Sequence, residues 1–129
     1  MEKEYTSELL LDFGEDATAL IPVVTQDFNT KEVLILAFAN KEAFEETVRS
    51  GYATYFSRSR NELWKKGLTS GDLLKIEEIR INCEQNSLLY LVTPIGNGAC
   101  HAKRKDGLPH TTCYYRKISD DNQLEFIEE

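Results

Sequence analysis

The period of apolar positions changes along the chain, and the changes mark its elements. Leu20-Ile21-Pro22-Val23-Val24-Thr25 is rich in β-branched residues and reads as a first strand, with Pro22 placing it at a sheet edge or near a strand start. Asp27-Phe28-Asn29-Thr30-Lys31 carries turn chemistry. Val33-Leu34-Ile35-Leu36-Ala37-Phe38 follows as a second strand, so the pair predicts a hairpin. The spacing then becomes helical. Asn40 suits an N-cap, Glu42 the first turn and Gly51 the position just past the end. Within 41–50, Phe44 and Val48 share a face, as do Ala43 and Thr47. Further strands are predicted over 52–57, 73–82, 87–93 and 112–118, with Glu84-Gln85-Asn86 as a connecting turn. The tail from 119 to 129 is acidic and weakly patterned. The pattern as a whole predicts a mainly β (α+β) fold with one principal helix.

A length of 129 residues fits one domain spanning 1–129. The 22 acidic and 15 basic residues give a net charge of −7, which disfavours nucleic acid as a partner because phosphate neutralisation needs a basic face. A small anionic ligand remains compatible if the basic residues gather in one place. The N-terminus, Met1-Glu2-Lys3-Glu4-Tyr5, lacks the apolar stretch of a secretory signal, and no apolar run approaches bilayer length. The expectation is a cytoplasmic protein without a membrane partner. Three cysteines in a reducing compartment read as thiols or metal ligands rather than disulfides.

Those cysteines fall in the order Cys83-x16-Cys100-His101-x8-His110-x2-Cys113. No pair has the spacing of a local zinc clip, but distant ligands converge when strands bring them together or when two subunits share a site. Three thiolates would hold zinc and leave a fourth position free, the layout of a catalytic site. The same thiols also suit small buried hydrophobes, and spacing alone leaves both readings open. Against the acidic background, Ser57-Arg58-Ser59-Arg60 through Leu63-Trp64-Lys65-Lys66-Gly67 to Thr69-Ser70-Gly71 is a local reversal of charge. Its arginines can fork onto phosphate oxygens, its hydroxyls can donate and its glycines let backbone amides approach an anion. Trp64 offers a flat face for a base or sugar. A solvated hairpin is the plainer reading of the same residues. Lys103-Arg104-Lys105 is a second basic run, either an exposed loop or a second phosphate contact.

Taken in order, these pieces resemble the phosphoribosyl-AMP cyclohydrolase family over a core of about residues 10–118. The resemblance is carried by Leu20-Ile21-Pro22-Val23-Val24, Tyr55-Phe56-Ser57-Arg58-Ser59-Arg60, Leu63-Trp64-Lys65-Lys66-Gly67, Thr69-Ser70-Gly71, Ala99-Cys100-His101 and Cys113-Tyr114-Tyr115-Arg116. It implies an intertwined homodimer whose zinc is held by Cys100, Cys113 and, from the partner chain, Cys83. It also implies hydrolysis of the N1–C6 bond of the purine in 1-(5-phosphoribosyl)-AMP, a step of histidine biosynthesis. His101 is then the candidate general acid or base, since histidine titrates near working pH. Arg58, Arg60, Trp64, Lys65, Thr69 and Ser70 are the candidate substrate and phosphate contacts. The family's magnesium-binding Asp-Cys-Asp-x-Asp is replaced here by Asn82-Cys83-Glu84-Gln85-Asn86, one carboxylate where the pattern has three. Magnesium prefers hard, mostly carboxylate oxygens. Its site is expected to be weakened or lost, with Glu84 and the amide oxygens of Asn82 and Asn86 as the remaining ligands. The stretch from Lys103 to Thr112, which contains His110, is longer than the family pattern. The depleted acidic cluster leaves an alternative, a non-catalytic zinc-binding paralogue on the same fold.

Overall fold

The computed structural model describes residues 3–11, 13 and 19–129. Four strands form the central sheet in the order β2-β1-β6-β5: β1 (Ile21–Asp27), β2 (Val33–Ala39), β5 (Leu74–Ile81) and β6 (Leu88–Pro94). β1 pairs antiparallel with β2 and parallel with β6, and β5 closes the other edge antiparallel to β6. β1 is thus an inner strand, and Pro22 sits near its start rather than at an edge.

The register sets which face is core. Ile21, Val23 and Thr25 lie opposite Ala39, Ala37 and Ile35, and all six are buried. Val24 and Leu36, also paired, point the other way and are 37% and 50% exposed. Tyr55, Leu74, Tyr90 and Val92 complete the inner layer with no measurable exposure. Each such side chain contributes on the order of 1.5–3 kcal/mol by leaving water.

Helix α1 (Lys41–Ser50) covers the inner layer and has the predicted limits. The Asn40 side chain accepts the Ala43 N–H at 2.8 Å. Gly51 ends the helix in the left-handed region and donates to the Thr47 carbonyl. Of the two candidate faces, Ala43 and Thr47 are buried, whereas Val48 is 59% exposed. Thr47 decides this, because its hydroxyl accepts the Thr54 N–H at 2.9 Å and joins the helix to β3 (Thr54–Ser57).

β3 pairs with β4 (Glu62–Lys65), a strand hidden in the basic segment. The strand expected over 112–118 is shorter. The Thr112 hydroxyl instead bonds to the carbonyls of Val33 and Leu34 and the Cys113 N–H to that of Leu34, and only β7 (Arg116–Ile118) is regular. The weakly patterned tail supplies its partner, β8 (Leu124–Phe126). Among the described residues, no helix is long and apolar enough to cross a membrane.

Candidate active site

The β3–β4 hairpin ends where Lys66 N–H bonds to the Ala53 carbonyl at 3.1 Å. Gly67 then takes φ +82, and a β-carbon there would lie 2.2 Å from the Asp72 backbone, so the 66–72 turn closes only on glycine. The carboxylate of Asp72 accepts the Asn97 N–H at 2.8 Å and fastens this turn to the loop after β6. That loop delivers Cys100. Its N–H bonds to the His110 carbonyl at 3.1 Å, and the His110 N–H returns to the Ala102 carbonyl at 2.9 Å. Cys113 is fixed from the other side by its N–H on the Leu34 carbonyl of β2, at 2.8 Å.

These ties bring Cys100 and Cys113 together in the wall of an open cavity of about 390 Å³. Cys100 is buried and accepts the Ala102 N–H at 3.4 Å, the kind of contact that suits a sulfur carrying charge. Burial pushes the Cys113 thiol up to about 12, and the neighbouring Cys100 adds to the effect while Lys66 opposes it. Two adjacent soft donors, of which Cys113 is costly to ionise alone, fit a cation such as zinc, which takes thiolates directly.

Arg60, Trp64, Lys65, Thr69, Ser70 and His101 line the same cavity. His101 is exposed at its rim, and Trp64 rests against Tyr55 with ring centres 5.5 Å apart. Arg58 is not among them. Its guanidinium lies 4.0 Å over the Phe38 ring, and Phe38 pairs with Pro22 on the sheet's outer side. The Lys65 ammonium is held by Glu46 of α1 at 3.1 Å. The lysine that sequence reasoning passed over is Lys66, which is 6% exposed and lines the cavity beside both cysteines. No signal in the residue pattern singles it out, since Lys65 and Lys66 both line the cavity and Lys66 follows the last residue of β4.

Cys83 lies elsewhere, exposed on the turn between β5 and β6. Among the described residues, no three His, Cys, Asp or Glu side chains of one chain converge as a metal site. The turn around Cys83 is built from amides. Asn82 Oδ1 accepts the N–H groups of Asn86 and Ser87, both at 2.9 Å, and the Asn82 amide donates to Asn86 Oδ1 at 2.7 Å. Gln85 is buried and accepts the Leu10 N–H at 2.6 Å. Both lone pairs of Asn82 Oδ1 are therefore spent on the turn, Asn86 Oδ1 is engaged as well, and Glu84 is the one carboxylate of the turn itself, with Glu4 and Glu8 lining the hollow beside Cys83. The turn's own donors are a poor match to the carboxylate-rich set that magnesium prefers.

His110 is no cavity residue. It is 2% exposed and stacked on Tyr115 at 3.6 Å. Its Nδ1 faces Glu128 Oε1 at 2.9 Å, and the same carboxylate takes the Thr111 N–H at 2.8 Å and the Thr111 hydroxyl at 2.5 Å. The long loop is thus clamped by the tail.

The phosphoribosyl-AMP cyclohydrolase family model matches residues 35–115, a stretch that contains the cavity lining and all three cysteines. A phosphoribosyl-AMP cyclohydrolase of Archaeoglobus fulgidus is 50% identical over 106 residues, covering 82% of this chain and 92% of that protein. One of Desulfatibacillum aliphaticivorans is 47% identical, covering 86% and 83%. A histidine biosynthesis bifunctional protein of Aquifex aeolicus is 43% identical, covering 91% of this chain and 53% of its own length. With the match extending over the hairpin, the glycine turn and the paired cysteines, the chain belongs to the phosphoribosyl-AMP cyclohydrolase family.

Proposed function

We propose that the protein is a phosphoribosyl-AMP cyclohydrolase of histidine biosynthesis, acting as a cytoplasmic homodimer with zinc held by Cys100, Cys113 and Cys83 of the partner subunit. The observation that carries this reading is the pairing of Cys100 with Cys113 in the wall of the one cavity that also gathers Arg60, Trp64, Thr69, Ser70 and His101. The outer sheet face supports the dimer. Val24, Val33 and Ile81 line a shallow apolar depression that runs to Asn82, so Cys83 sits at the margin of a surface that a second copy would cover. Arg58 shares that outer face and would meet the second copy rather than its own cavity. Three free thiols agree with a reducing compartment.

The chemistry a bound zinc supplies at such a donor set is activation of water near neutral pH. The chain's own residues do the rest. Trp64 receives the purine against its flat face. Arg60 binds one phosphate with Thr69 and Ser70 as neutral donors, while Lys65 shares its charge with Glu46. N1 ribosylation makes C6 electrophilic, and water adds there with formation of a C6–O bond. The His101 ring takes up the proton released and returns it to N1 as the C6–N1 bond breaks, leaving a carboxamide on the imidazole.

Mixed dimers test the shared site. Cys83→Ala and Cys100→Ala proteins are each expected to be inactive. Unfolded together and refolded, they should regain activity in roughly a quarter of sites, because half the dimers are mixed and each mixed dimer has one intact site. Continued inactivity of the mixture, with each protein folded, refutes a zinc site built from two chains.

A further inference from the structure

Lys66 is the least exposed of the lysines in the cavity wall, and its ammonium is poorly satisfied. It makes one long hydrogen bond, 3.4 Å to the Asp72 carbonyl. Among the described residues, no carboxylate approaches it within ion-pair distance. A buried ammonium with two unused N–H groups is costly unless a negative partner faces it. Asp72 is one such charge, although its Oδ1 is already engaged by the Asn97 N–H. Cys100 and Cys113 line the same cavity wall, where Lys103 is the opposing cation. Backbone geometry makes this placement firm, because the Lys66 N–H is bonded to Ala53 and Gly67 locks the next residue against Asp72.

We propose that Lys66 is the charge partner of the Cys100–Cys113 pair, a positioning residue that offsets the surplus negative charge of a tri-thiolate metal site and so sets its metal affinity. The proposal rests on the zinc reading given above. Three thiolates around a divalent cation leave one net negative charge in a half-buried wall, and a fixed ammonium is the complement on hand. Outer-shell partners of this kind typically change metal affinity roughly 10–100-fold when removed. Lys65 cannot substitute, because Glu46 already neutralises it.

The test is metal affinity measured by competition with a chromophoric chelator, for zinc and for cobalt, whose sulfur charge-transfer absorption reports thiolate ligation without any turnover. Lys66→Met is expected to lose affinity roughly 10–100-fold, with Lys66→Arg retaining it within about threefold because the charge is kept; thermal melts of the metal-free proteins establish that both variants fold. Lys66→Met binding zinc within about threefold of the unchanged protein overturns the proposal, as does an equal loss in Lys66→Met and Lys66→Arg. A folded unchanged protein that takes up no zinc sinks the zinc reading itself, and is told apart because it needs no variant.

Discussion

Glu128 closes the long loop between Cys100 and Cys113 from outside the region matched by the family model, and Glu128→Ala measures what that closure is worth. The carboxylate accepts two hydrogen bonds from Thr111 and faces Nδ1 of His110. Hydrogen bonds to a charged group contribute about 1.5–3 kcal/mol each. The side chain is 25% exposed, so the low end applies, and the contacts share one carboxylate and do not add fully. A loss of about 3 kcal/mol is the result. Because β7 and β8 pair only with each other, the loss falls on this unit and not on the central sheet. The assay is amide hydrogen exchange at Thr111, Ile127 and Glu128, whose N–H groups bond to Glu128 and to the Tyr115 carbonyl. At about 1.4 kcal/mol per tenfold, exchange should accelerate about a hundredfold, while amides of β1 and β6 stay unchanged. Burial opposes ionisation of Glu128, yet hydrogen bonds from Thr111 and then His110 outweigh it and hold the carboxyl below its usual value. The clamp is therefore complete above the ordinary glutamate range of about 4.3 and is lost as pH falls through the lower folded value. Glu128→Gln should abolish that acid sensitivity. Exchange at these amides within about threefold of the unchanged protein would refute the reasoning.

Other positions give sharper single outcomes. Tyr55→Phe removes a fully buried hydroxyl pair with Thr25 at 2.6 Å and should cost about 1–2 kcal/mol in a denaturant melt; no measurable change would mean that water replaces the contact. Gly67→Ala sets a left-handed backbone and a clash with Asp72 against the fold, so a loss above about 3 kcal/mol or no soluble protein is expected, read by circular dichroism. Leu36→Arg places a charge on the exposed outer sheet face and, on the proposed dimer reading, should shift sedimentation from dimer to monomer; an unchanged sedimentation coefficient would refute a dimer built on this face.

Local chemistry made α1 and the β1–β2 hairpin readable. Asn40, Gly51 and the 27–31 turn each satisfy their own backbone, so their signal does not depend on distant residues. β4 was obscured because its charged residues outweigh Leu63 and Trp64 in any local reading, and its identity comes from pairing with Tyr55 and Phe56. The tail strand was hidden for a similar reason. Its apolar residues find Tyr115 and Arg116 across a turn rather than a core. Most of the candidate residues gather at one cavity, but their directions were not legible in the sequence. Arg58 and Arg60 are two apart, yet one lies over Phe38 on the outer face and the other lines the cavity. Lys65 and Lys66 are adjacent, and only the second escapes a neutralising carboxylate. Asn82 and Asn86 read as a depleted ligand set; the positive role of their amides, bracing the turn under Cys83, lies in hydrogen bonds that the residue pattern does not display.

The β7–β8 hairpin has a consequence for how the molecule comes apart. Ile118 and Leu124 are 74% and 58% exposed, so this piece is moored by Glu128, by Glu129 on Lys105 and by a few ring contacts instead of by burial. Under mild heat or acid it should be the first piece to lift away while the four-stranded sheet stays intact. The far bank of the candidate cavity would slacken with it, so catalytic competence would fade at conditions where optical probes of the core still record a native protein.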